Sequence, residues 1–196
     1  MQIATGTFSF VLLVWGFIGA LVINIGSSNL PTIHDGDRLW IVNSTNLQRG
    51  QLVLFIYPGS EPRGRMVKRI LGIPGDRLWM RDGRLWLNSK RLEEKYAIPY
   101  WLEKDDFDNV SYLANSDTWE FWTNPTQNPC KKTDPNCTPR SILLKSNEYF
   151  MVGDNRSLGS SYDSRVFGAV DRADIIGVAQ YVGIPPKKLE IPEELK

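Results

Sequence analysis

The first 33 residues of this chain carry no Asp, Glu, Lys or Arg, and Phe8 to Ile25 is apolar but for Ser9 and Asn24. Such a run has few places to go. A spanning helix needs about 20 mostly apolar residues, so one membrane pass fits. A cleaved secretory signal competes, but it usually opens with basic residues, and the first here is Arg38. A buried core helix is the third reading, and the lack of a polar face weighs against it. The expectation is a single-pass anchor over residues 1–25, with bilayer lipid as its partner. An extended chain just before Ser28 would end the helix near Gly19 and make Ala20 to Ile25 a strand. Asn24 favours that division. With no flanking charges, the positive-inside rule leaves orientation unset.

Beyond the anchor the pattern is that of short strands. Leu39 to Val42, Gln51 to Tyr57, Met66 to Leu71, Glu148 to Val152 and Ile175 to Val182 are apolar runs of strand length. Turn signals bound them: Asp35-Gly36-Asp37, Arg49-Gly50, Pro58-Gly59 and Pro74-Gly75-Asp76. Arg77 to Met80 and Leu85 to Leu87 flank Arg81-Asp82-Gly83-Arg84, which reads as a tight hairpin. The fold class expected is mainly β, a barrel or sandwich. Residues 91–140 are richer in Asp, Asn, Pro and Trp, with weak periodicity, and read as an inserted subdomain. That leaves a β domain over 26–90 and 141–184. Residues 185–196 read as a charged, loose tail. Cys130 and Cys137 enclose six polar turn residues. They are a disulfide in an oxidising compartment and thiols in the cytosol. The net charge of +1 gives no support to a nucleic-acid partner.

Two residues carry candidate chemistry, Ser28 and Lys68. A serine hydroxyl needs a neighbouring base to become a nucleophile. The chain has one histidine, His34, in a turn-rich segment, and it reads as a surface residue. One His and two Cys also make a zinc site improbable, and no cofactor is implied. Lysine remains as the base. It serves only if burial lowers its pKa enough to populate the neutral amine. Met66, Val67, Ile70 and Leu71 around Lys68 offer that burial. The alternative is a strand-end lysine reaching to water.

Four segments in order then matter: Gly26-Ser27-Ser28-Asn29-Leu30-Pro31-Thr32, Met66 to Asp76, Gly153-Asp154-Asn155-Arg156, and Asp163-Ser164-Arg165. Together they resemble the signature boxes of type I signal peptidases, membrane serine endopeptidases with a Ser-Lys dyad. The resemblance spans Gly26 to Val182 outside the insertion. It implies Ser28 as nucleophile, Lys68 as base and Ser161 as a hydroxyl that orients the lysine. Ser160 or Ser157 could substitute for Ser161. It implies that Arg69, Asp154, Asp163 and Arg165 shape the site, and that the Ser28 N–H, helped by Gly26 or Ser27, holds the oxyanion. It further implies removal of signal peptides from preproteins, with small residues at the first and third positions before the cut. The catalytic domain would lie on the extracytoplasmic side. Two departures stand out. Asn29 replaces the usual Met after the nucleophile, and Gly153-Asp-Asn-Arg lies further than usual from Asp163-Ser-Arg. They keep open a non-catalytic membrane-anchored β-domain. A self-cleaving Ser-Lys repressor is disfavoured because a membrane segment stands where its DNA-binding domain would be.

Overall fold

The structure is a computed structural model, and it describes residues 19–57, 64–81, 84–98, 141–157 and 159–196. Strands dominate it. One large sheet holds β1 (Ala20–Ile23), β2 (Arg38–Val42), β3 (Leu52–Ile56), β4 (Arg65–Gly72), β9 (Glu148–Val152), β10 (Val170–Asp171), β11 (Ile175–Val182) and β12 (Lys187–Lys188). Its order is β1-β2-β11-β3-β4-β9-β10, with β12 on β11. The second sheet is β7-β6-β5-β8, from β5 (Arg77–Arg81), β6 (Arg84–Leu87), β7 (Lys90–Arg91) and β8 (Ile142–Leu143). All ladders are antiparallel. The mainly β expectation holds, and so do the strand positions read from the sequence.

Strand alternation distributes the core. Successive side chains face opposite sides of a sheet. On β3, Val53 and Phe55 enter one cluster, with Ile70, Met151 and Val178. Leu52 and Leu54 enter another, with Ile33, Leu39, Ile41 and Val67. Both faces of β3 are therefore buried, which explains its unbroken apolar run. Leu71, Phe150 and Val152 join the large sheet to Leu78 and Leu85 of the small one. Lys68 and Arg69 thus lie on a central strand, β4, between covered layers.

Two expectations change. Residues 20–23 are strand, as the division near Gly19 expects. Residues 1–18 lie outside the described residues. Among those described, no helix is long and apolar enough to cross a membrane. The start of the expected insertion is packed on the rest of the domain: β7 pairs with β6, and Ile98 bridges Asn155. Residues 99–140, with Cys130 and Cys137, lie outside the described residues.

The charged tail is not loose. Leu195 is 3% exposed and joins the core with Ile191. Both sit over Gly50, whose positive φ of 84° suits the turn into β3. A Cβ there would meet Ile191 Cγ2 at 2.5 Å. The polar count of the tail hid two apolar contacts that decide its placement. Leu195→Ala is expected to destabilise the domain by about 2–4 kcal/mol. Urea unfolding measures this, and a loose tail would give no change.

Candidate active site

Ser28 sits on a turn just after β1, and Lys68 sits mid-way along β4. The Lys68 Nζ lies 2.6 Å from the Ser28 Oγ. Lys68 is 4% exposed. Burial lowers its pKa from the ordinary 10.5 to about 8, the Asp163 and Asp154 charges pulling up and Arg165 pushing down. The amine is therefore neutral in a substantial fraction of molecules at mildly alkaline pH, and it already touches a hydroxyl. A lysine reaching to water would show neither feature.

The nucleophile turn is held by groups distant in sequence. The Asn155 N–H donates to the Ser28 carbonyl at 3.0 Å, and Asn155 Nδ2 donates to the Ser27 carbonyl at 3.2 Å. Gly153 comes so near that a Cβ on it would lie 2.3 Å from the Ser28 carbonyl oxygen and 2.4 Å from Ser161 Oγ. Only glycine allows that approach. On the other side of the turn, Asn29 is buried and its Nδ2 donates to the Val67 carbonyl at 2.8 Å.

Arg69, next to the lysine, is 1% exposed and faces Asp154, which is fully buried. Arg69 Nε donates to Asp154 Oδ1 at 2.8 Å and Nη2 to Oδ2 at 2.5 Å. Nη1 donates to the Gly50 carbonyl at 2.6 Å. Thr32 Oγ1 donates to Asp154 Oδ2 at 2.5 Å. The Tyr96 ring lies under the Arg69 guanidinium, 5.0 Å from ring centroid to Cζ. Arg156 also stacks on that ring and pairs with Glu94.

Asp163 is the second buried carboxylate. Arg165 meets it with Nε and Nη2, both at 2.9 Å. The Gly153 N–H and the Ser161 hydroxyl also donate to it, at 3.1 and 2.5 Å. Burial pushes its pKa up, but Arg165 and these donors outweigh burial and hold the carboxyl below its ordinary range.

All the residues singled out in the sequence thus converge on one region, with two differences in detail. The Ser161 hydroxyl is bonded to Asp163, and Lys68 Nζ is bonded to Ser28 alone among the described residues. The Gly26 N–H, one of the two helpers expected for the oxyanion, is already taken by Asp35 Oδ1 at 2.6 Å. Sequence reading missed Glu94 and Tyr96, because they fell within the segment assigned to the insertion. It also missed the tie made by Asn155, although that residue was inside a quoted motif.

A buried amine on a serine hydroxyl, in a β fold, places the chain among the serine endopeptidases. A family model described as "Signal peptidase, peptidase S26" matches residues 1–184. The chain belongs to this family, whose serine peptidases remove signal peptides. Similar curated proteins include signal peptidase IB of Staphylococcus aureus, 28% identical over 80% of this chain and 73% of that protein. Signal peptidase I of Bacillus licheniformis is 29% identical over 89% of this chain and 81% of that protein. A crystal structure of a signal peptidase I from Enterococcus faecalis V583 aligns at 26% identity with a TM-score of 0.39. The match covers 68% of this chain and 97% of that one.

The Arg69–Asp154 pair predicts an asymmetric mutational response. Asp154→Ala leaves a buried guanidinium unpaired and is expected to cost about 3–5 kcal/mol. The double variant Asp154→Ala/Arg69→Met removes the stranded charge and is expected to recover part of that loss. Urea unfolding of the two variants checks the order.

Proposed function

We propose that Ser28 is the nucleophile and Lys68 the general base of this signal peptidase. The observation that carries the assignment is the 2.6 Å contact between a buried, pKa-lowered Nζ and the serine Oγ. Neutral Lys68 takes the Ser28 proton as Oγ attacks the scissile carbonyl. The negative charge that develops on the carbonyl oxygen is met by the Ser28 N–H. Lys68, now an ammonium, returns the proton to the leaving amine. The acyl-enzyme is then hydrolysed by a water that Lys68 deprotonates. Asp163, held ionised by Arg165, keeps a fixed negative charge near the ammonium as it forms. Ser161 acts on the lysine through that carboxylate.

By resemblance, substrates are preproteins with small residues at the first and third positions before the cut. They bind extended, as a strand beside the residues near Gly26 and Met66. Residues up to Gly19 span the membrane once, and the β domain stands on the extracytoplasmic side. Placement of Ser28 a few residues beyond the anchor suits a cut at the membrane surface. In that compartment Cys130 and Cys137 form a disulfide, worth roughly 2.5 kcal/mol by loop closure. Mass spectrometry of non-reduced, alkylated protein tests it, and two alkylated thiols would refute it. A non-catalytic role fits poorly, since a partner-binding domain has no need of a buried lysine on a serine.

Cleavage of a model preprotein tests the dyad. Ser28→Ala and Lys68→Arg are both expected to lose essentially all activity, because arginine keeps the charge but cannot act as a base near neutral pH. Substantial activity in Lys68→Arg would refute the base assignment. In the wild type, kcat/KM is expected to rise with pH through an inflection near 8.

The same shift has a stability side. Between about 8 and 10.5 the unfolded chain binds the Lys68 proton and the folded one does not, so the lysine's contribution to stability improves as pH rises through that window. Below it the buried ammonium is a net cost. Lys68→Met is therefore expected to be inactive yet more stable than wild type at pH 7, by about 2–3 kcal/mol. Parallel urea unfolding at pH 7 and pH 10 checks this, with the gap closing at the higher pH.

A further inference from the structure

Asn29 follows the nucleophile, is 1% exposed, and has no part in the proton transfers above. Its Nδ2 donates to the carbonyl of Val67, the residue before Lys68. One side chain therefore links the position after the nucleophile to the position before the base, across 38 residues of sequence. The strand it reaches needs such a link. The β9 ladder ends with Val152 opposite Arg69, so the N-terminal half of β4 has only β3 beside it.

The other half of the Asn29 amide is unusual. Its Oδ1 is buried and has no hydrogen-bond partner among the described residues. A buried acceptor without a partner carries its desolvation penalty uncompensated. An apolar side chain of similar size would avoid that penalty, so packing gives no reason for an amide here. The reason lies in the bonded half. Asn155 fixes the turn at the Ser27 and Ser28 carbonyls, but it belongs to the chain after β9 and not to β4. Asn29 alone among the described side chains ties the turn to the backbone of the strand that carries the lysine.

We propose that Asn29 is a positioning residue that sets the approach of Ser28 Oγ to Lys68 Nζ through its bond to the Val67 carbonyl. The proposal rests on the Ser28–Lys68 reading. Loss of the bond leaves the turn attached to Asn155 but frees it to move relative to β4. Proton transfer is more sensitive to that motion than substrate binding, because it needs two atoms at hydrogen-bond distance. The larger effect falls on kcat, with a smaller one on KM.

The experiment is steady-state cleavage of a model preprotein by Asn29→Met, Asn29→Ala and Asn29→Asp, with urea unfolding of each. For Met, kcat is expected to fall on the order of 10- to 100-fold, by a larger factor than KM changes, at equal or higher unfolding midpoint. Ala cannot overpack the site and is read in the same way if Met does not fold. Asp removes the donor and brings a carboxylate toward the strand that carries Lys68, so its kcat is expected to fall as in Met and its kcat/KM inflection to move to higher pH. Wild-type kcat and inflection in a folded Met or Ala variant would overturn the proposal. So would a loss confined to the unfolding midpoint. Lys68→Arg, run alongside, separates the two levels: its retained activity would defeat the dyad, while its inactivity beside a fully active Asn29→Met would defeat only the clamp.

Discussion

The pairing of Arg69 with Asp154 is the interaction on which the site depends. Neither charge is tolerable alone at this depth. Once paired, the two recruit the Gly50 carbonyl and the Thr32 hydroxyl, and so bring four separate stretches of chain to one point. Three of them lead to the groups of the proposed site. Lys68 adjoins Arg69, Ser28 lies four residues before Thr32, and Asn155 follows Asp154. The ion pair itself does no chemistry. It fixes three backbones so that a lysine and a serine distant in sequence meet at hydrogen-bond distance. The Tyr96 ring closes it from one side, and Tyr96 is held by the same Arg156 that pairs with Glu94.

The lysine shows the opposite economy. Its place on a strand buried on both faces destabilises the protein in order to lower the amine pKa. Asp163 and Asp154 oppose the shift and Arg165 supports it. The outcome is an amine that titrates well below its ordinary range, in a scaffold held elsewhere by strong pairing. Function and stability pull on the same residue from opposite sides.

Much of this was legible in the sequence because it is local. Apolar runs such as Leu52 to Phe55 and turn signals such as Pro74-Gly75-Asp76 act through neighbours, so strands and turns could be read directly. Ser28 and Lys68 were legible for a different reason, since their flanking segments form recognisable boxes. What escaped was non-local. Nothing near Asn29 announces that its amide reaches Val67, and nothing near Ser161 announces that its hydroxyl turns to Asp163. Glu94 and Tyr96 lie in a polar stretch whose composition looks like loop, yet they are fastened to Arg156. The tail misled for a similar reason. Lys187, Lys188, Glu190, Glu193 and Glu194 set its average character, whereas Ile191 and Leu195 set its position.

Strand order carries a consequence in time. The strand β11, formed from residues 175–182, lies between β2 and β3 in the large sheet. The sheet therefore cannot close until the ribosome has synthesised well beyond the lysine, the serine and every group that pairs with them. Long-range pairing of this kind forms late and slowly. A nascent chain holding both Ser28 and Lys68 is consequently still without a finished sheet to present them.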